Sequence, residues 1–539
     1  MRFSNAAAVA VITVLLAGTA NAATYHVATN GSDSNNGSLN APFRTLTRAT
    51  EGLRPGDVVN VRGGVYFETV QINVKGTAAE RITIRSYPGE TAIFDGTGTG
   101  RNENVLTLYK SAYVDLSGFE VRNAGQIGIC SWGSNNVRIL NNRVHHSFRN
   151  GIYVGWDVMG VSYDNVVDGN TVHNNVLENA NREFPNGGWA TGVSMNYTDR
   201  GRVTNNRIYE NDGEGIVTIL AKYTHIEGNE LSDNFSVGIY VDNSRYVKVN
   251  ANLMYSTGNS RYYREGYPAS GMATANEWYD HSLPSSDNIF TNNIVINSRW
   301  GFFYGAYQRG GGLRNAVVAN NTFYKSASTM LWIEDDSHAN NHFENNIFYQ
   351  LGGRGMLDVH GGGVTYKNNV WYGAPVAIAS ANDVLADPKF VNPGGFKASD
   401  YKLTNLSPAL TVGANLSTIV TKDFFGSPRS AAFDIGAHQF TNSSAVTPAL
   451  ASPANLRGAA TGTRSIALNW ASTANVQYAV YRDGTKIATV ATPEFIDTGL
   501  TPNTIYTYQV SAFAGANESP RSIGVPVKTQ ANPRRRAVR

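Results

Sequence analysis

Apolar and polar positions along this chain alternate in short runs, not at helical spacing. Val-, Ile- and Tyr-rich stretches are cut by Gly, Asn and Asp, as expected for β-strands joined by tight turns. The runs recur in phase. A turn reading Leu140-Asn141-Asn142-Arg143-Val144 returns at Gly169-Asn170, Asn205-Asn206, Gly228-Asn229, Ala251-Asn252, Asn292-Asn293, Asn320-Asn321, Asn345-Asn346 and Asn368-Asn369. Counted on the second residue, the steps 206 to 229, 229 to 252 and 346 to 369 are each 23 residues. A fixed period of roughly 20–50 residues marks a solenoid, in which a repeat buries its apolar face only against its neighbours. The pattern predicts an all-β chain folded as a single-stranded parallel β-helix. Asn suits the turns because it tolerates left-handed backbone and bonds locally.

The two ends lie outside this periodicity. Residues 1–22 read as a secretory signal peptide, with Arg2, an apolar core from Ala6 to Leu16, and the cleavage site Ala20-Asn21-Ala22. No later stretch has the apolar length of a membrane span, so an exported protein without membrane insertion is expected. Without Arg2 the charge is 43 − 41 = +2, a balance that argues against a nucleic-acid partner. The run Pro533-Arg534-Arg535-Arg536 within 531–539 reads as a solvated basic tail. One cysteine, Cys130, excludes an internal disulfide framework, and its Ile127-Gly128-Ile129 neighbourhood predicts a core position. A monomer is the expected state.

Residues 25–66 contain Tyr25-His26-Val27-Ala28-Thr29-Asn30-Gly31-Ser32-Asp33, Ala41-Pro42-Phe43-Arg44-Thr45-Leu46 and Pro55-Gly56-Asp57-Val58-Val59-Asn60-Val61. This resembles the N-terminal cap of exported right-handed β-helix proteins of the pectate-lyase-like superfamily: a strand, a short helix near 43–53, and a first rung. Asp387-Pro388-Lys389-Phe390 and Phe433-Asp434-Ile435-Gly436 are similar to the closing segment of the same proteins. The resemblance implies a β-helix domain over 23–440 but no particular reaction, because the superfamily spans lyases, hydrolases and epimerases. Residues 441–452 read as a linker. Strands near Ser465–Trp470, Tyr478–Arg482 and Thr504–Phe513, with Trp470, Tyr506 and Tyr508, make 453–530 look like a fibronectin type III module, a small β-sandwich.

Rungs align on the glycine that opens each strand, as in Gly151-Ile152-Tyr153-Val154, Gly215-Ile216-Val217-Thr218, Gly238-Ile239-Tyr240-Val241-Asp242 and Gly301-Phe302-Phe303-Tyr304. The residue after each glycine is apolar and points inward. Alternation therefore turns Tyr153, Tyr240, Phe303 and Trp332 outward, followed by Asp242 and Glu334. Outward aromatics on a solenoid suit stacking on sugar rings. Two rungs are long: Asn252 to Asn293 spans 41 residues and Asn170 to Asn206 spans 36. Insertions in repeats collect on one face, often the binding face. They predict a groove binding an extended polysaccharide, with Tyr240, Trp278, Tyr279, Trp300, Trp332, Arg264 and Glu265 as contacts.

Carboxylates are dense beside it. Rungs stack about 4.8 Å apart, so acids one or two rungs apart suit the two-carboxylate chemistry of glycoside hydrolysis. Asp242 is expected as nucleophile or base, with Glu277 or Glu214 as proton donor and Asp212 nearby. The bland alternative is that these acids cap turns or pair with arginines. The stretch Gly213-Glu214-Gly215 to Lys222 resembles a Gly-Glu…Lys region of chondroitinase B-like lyases, where Glu is a calcium ligand and Lys the base. The match breaks at the next rung, where that family has Arg and this chain has Asp242. No aligned outward strand position carries Lys or Arg, which weighs against a groove for anions. The sequence requires no cofactor and assigns no metal ligand; Ca²⁺ enters only with the lyase alternative. A third alternative is a non-catalytic glycan-binding surface protein.

Overall fold

The computed structural model describes residues 22–184, 187–277, 283–429, 432–441, 452–473, 476–514 and 517–532. The expected signal peptide up to Asn21, Trp278 and Tyr279, most of the linker and the basic tail lie outside these residues. Residues 1–440 and 441–539 form two units.

The first unit is a parallel β-solenoid built from sheets of 13, 11 and 12 strands, each strand paired with its counterpart one rung away. The two residues of each repeated turn do separate jobs. The first takes left-handed backbone, at φ 53° for Asn141, 54° for Asn205 and 55° for Asn345, and Gly169 and Gly228 serve at the same place. The second is a buried ladder. Asn229 Oδ1 accepts the Asn206 backbone N–H at 3.0 Å and its amide at 2.9 Å, and Asn229 donates in the same way to Asn252. The ladder runs from Asn142 to Asn369 and ends on Asp383, whose Oδ1 accepts the Asn369 N–H at 2.7 Å. The Asn column thus closes the backbone donors that the turns leave inside the protein.

Inward positions stack into one core. In the 11-stranded sheet, Ile152, Val193, Ile216, Ile239, Met272, Phe302 and Leu331 are in register and wholly buried. Each such side chain contributes roughly 1.5–3 kcal/mol. At the N-terminal end, Thr24–Val27 pairs with Val58–Val61, and the helix Leu46–Thr50, capped by Thr45, buries Leu46 and Ala49 on the core. The segment expected to close the far end does something else. Phe390, Tyr401, Leu403, Ile435 and Ala437 pack on Ile294, Ile296 and Ile347, outward residues of the 12-stranded sheet, and so line its flank. Ala374 and Val376 pack on the core itself.

The second unit pairs a three-stranded antiparallel sheet (Arg457–Ala460, Ser465–Asn469, Glu494–Thr498) with a second one built on Gln477–Arg482 and Ile505–Ala514. Trp470, Tyr478, Leu468, Val480 and Val510 fill the space between, and Tyr508 donates to Asp497 at 2.7 Å. This sandwich is compatible with a fibronectin type III-like module.

Candidate functional site

The glycine column shapes the face of the 11-stranded sheet. A Cβ on Gly215 would point inward, 2.6 Å from both the Gly238 carbonyl oxygen and Leu231 Cδ2. Gly215 and Ile216 therefore both face the core, and the residue before them, Glu214, is turned out. Strict alternation would have put Glu214 inside; the glycine breaks the alternation.

A groove of about 670 Å³ lies on this face. Its floor includes Glu214, Val217, Tyr240 and Asp242, and the two long rungs add Gly188 and Trp189, then Arg264 and Glu265. Glu214 is 8% exposed and accepts the Trp189 indole N–H at 2.7 Å. Burial pushes its carboxyl up to about 8, and the neighbouring Glu277 charge adds to the rise. Trp189 is held edge-on to Phe235 with the Arg264 guanidinium 4.9 Å from its ring. Tyr240 donates its hydroxyl to Glu277 Oε1 at 2.5 Å, and the Glu277 backbone N–H is fixed by Asn243 Oδ1 at 2.6 Å. Burial first, then the Asp242 and Glu277 charges, hold Tyr240 firmly protonated. Tyr307 also lines the groove and is pushed up to about 12, chiefly by burial.

Several expected site residues are placed differently. Asp242 lines the floor but is only 1% exposed. It sits in register with Ile219, five residues along the strand from Glu214, or about 16 Å at ~3.3 Å per residue. The Glu277 charge acts on both Glu214 and Tyr240, so its carboxyl reaches the same part of the groove. Asp212 is 2% exposed and held in two ion pairs, with Arg182 at 2.8 Å and Arg261 at 3.1 Å, the arginine-paired arrangement named as the bland alternative. Glu265 is exposed and pairs with Arg299 at 3.1 Å. Trp300 and Trp332 stack on each other at 4.3 Å, and Trp332 on Phe303 at 4.8 Å, so only part of each ring is left to the groove.

Cys130 is buried as expected, its thiol pushed up to about 12. Arg264, an expected contact, lines the groove, and Arg299 joins it; both come from connecting segments outside the strand positions that carry no Lys or Arg. Arg299, Tyr307 and Trp189 were not singled out as site residues. The adjacency Arg299-Trp300 was the one local signal for the first of them. Among the described residues, no group of three or more His, Cys, Asp or Glu side chains is arranged to hold a metal ion.

The model of the Pel9A-like right-handed β-helix region matches residues 25–244, and that of the right-handed β-helix region matches 179–312. The first unit is a right-handed parallel β-helix similar to these pectate-lyase-like families. The chain is 26% identical over 347 residues to the uncharacterized protein YwoF of Bacillus subtilis (strain 168), covering 57% of this chain and 69% of that one. It is 25% identical over 379 residues to pectate lyase L of Dickeya chrysanthemi, covering 66% and 76%. Among solved structures, the complex of XylC with xylose superposes with a TM-score of 0.54 at 13% identity, over 78% of this chain and 98% of that one, a likeness of fold alone. No helix among the described residues is long and apolar enough to cross a membrane.

Proposed function

We propose that the groove binds an extended glycan and cleaves it by acid–base hydrolysis. One observation carries this: a carboxylic acid held protonated through neutral pH, Glu214, faces the same groove as a second carboxyl group, Glu277, positioned by Tyr240. Glycoside hydrolysis needs such a pair, one acid to protonate the leaving oxygen and one carboxylate to work on the opposite side of the ring. In this reading Glu214 gives its proton to the glycosidic oxygen as the C–O bond breaks. Glu277 takes a proton from the attacking water or bonds to the anomeric carbon itself. Tyr240 orients Glu277, and Asp242, lining the same groove, helps keep the Tyr240 hydroxyl protonated. The protein is read as exported and monomeric, with the C-terminal sandwich as a spacer.

A second reading, β-elimination on a uronate-containing glycan, is favoured by Arg264 and Arg299, two cations able to offset a substrate carboxylate. The similarity to a pectate lyase also points this way. One experiment separates the readings. The protein is incubated with a polysaccharide panel, with and without chelator, while reducing ends and unsaturated-uronate absorbance are followed. New reducing ends without absorbance, lost in Glu214→Gln, support hydrolysis. Absorbance supports elimination, and a chelator effect on it would return Ca²⁺ to the account. Retention on a polymer with neither product leaves a glycan-binding surface protein and overturns both.

A further inference from the structure

North of the groove, toward the N-terminal cap, the same sheet carries a second cluster of aromatic rings. Trp132 stacks on Tyr153 with centroids 5.7 Å apart and meets Trp156 edge-on at 5.9 Å, and Tyr109 lies 6.2 Å from Trp156. The cluster is built in. Gly133 lets Trp156 lie close, since a Cβ there would fall 2.6 Å from the indole ring. Lys110 Nζ stands 5.1 Å from the Tyr109 ring and 5.4 Å from that of Trp156. Beside them is a depression of about 430 Å³ whose only charged lining residues are Lys75 and Lys110.

Register connects this cluster to the groove. Trp132 aligns with Gly155, Asn196, Ile219 and then Asp242, four rung steps, or about 19 Å at ~4.8 Å per step. Between the two sites the outward positions hold Ser194, Asn196, Val217 and Ile219, none of them aromatic or charged. We propose that Tyr109, Trp132 and Trp156, with Lys75 and Lys110, form a distal subsite for acidic sugars of the glycan whose reacting unit occupies the groove. The proposal rests on the glycan-cleaving reading of the groove. Rings supply stacking surface, and the lysines supply charge complementary to carboxylate or sulfate substituents. Two linked sites on one face raise the effective concentration of the chain at the groove.

The test is affinity electrophoresis of the full chain in gels cast with polygalacturonate, alginate or neutral xylan, with product release measured in parallel. An acidic polymer is expected to retard the parent. Trp132→Ala/Trp156→Ala and Lys75→Ala/Lys110→Ala should each weaken that retardation about tenfold, the loss of roughly 1.4 kcal/mol of stacking or charge contact. The lysine pair is exposed, so that variant keeps its fold and keeps the test decisive. Equal retardation of parent and both variants overturns the distal subsite, as does retardation by xylan alone or by no polymer. If those variants bind like the parent while Glu214→Gln loses cleavage, the subsite falls and the reading of the groove stands. If retardation behaves as expected but no product forms, the groove reading falls and the subsite stands.

Discussion

Replacing Glu214 by Gln tests the assignment of the acid through stability as well as activity. The carboxyl is lifted from 4.5 to about 8, mainly because charging it would bury an ion. At about 1.4 kcal/mol per pKa unit, that difference is worth about 5 kcal/mol. The sign follows from proton binding. Between 4.5 and 8 the unfolded chain has released this proton while the folded chain keeps it, so folded stability falls as pH rises through that window. Below 4.5 both states are protonated and the effect vanishes; above 8 it is complete. Gln keeps an oxygen for the Trp189 indole N–H and never ionises. The variant is therefore expected to gain on the parent by about 3 kcal/mol by pH 7 and about 5 kcal/mol by pH 9. Urea-unfolding midpoints of both proteins from pH 4 to pH 9 provide the measurement. Cleavage by the parent should fall as pH rises past 8, and the variant should be inactive throughout. Parallel stability curves for the two proteins would refute the burial argument, and with it the assignment of Glu214 as the neutral acid.

Asn229→Ala should destabilise the helix by about 3 kcal/mol, because the Asn206 N–H and the Val203 carbonyl lose buried partners; Asn205→Gly, at a left-handed turn position, should cost under about 1 kcal/mol, as thermal unfolding will show. Tyr240→Phe removes the hydrogen bond to Glu277 and is expected to lower kcat about 10- to 100-fold with a smaller change in KM, measured on whichever polymer the panel identifies. Trp332→Ala removes the ring that stacks on both Trp300 and Phe303 and should weaken polymer binding about tenfold in the gel assay.

The solenoid was legible because its signal is repeated: a turn that needs a left-handed residue and then a buried amide must return to Asn at every rung. The groove was legible as a region, since surplus chain in two rungs has to go somewhere. Individual roles were harder, and for definite reasons. Alternation identifies outward residues only while backbone is regular, and the inward Gly215 shifts Glu214 out of phase with Ile216. Asp212 looked chemical until Arg182 and Arg261, 30 and 49 residues away in sequence, closed on it. Arg264 and Arg299 escaped notice as a basic pair because neither sits in a strand register. Asp242 does line the groove, but at 1% exposure an outward strand position is not an open one.

The Asn ladder has a direction. Every rung from Phe119 onward gives its N–H to the next side chain toward the C-terminus, and the last acceptor, Asp383, turns its own N–H back to the Ser380 carbonyl and carries no side-chain amide to pass on. A duplicated rung copied into the middle would accept from the rung before and donate to the rung after, leaving no polar group stranded. The same copy placed beyond Asp383 would find nothing to receive. An internal duplication is therefore the one that lengthens this ladder without stranding a donor, and each such copy would stretch the solenoid by about 4.8 Å. Reach along a polymer becomes a heritable length that changes in whole rungs.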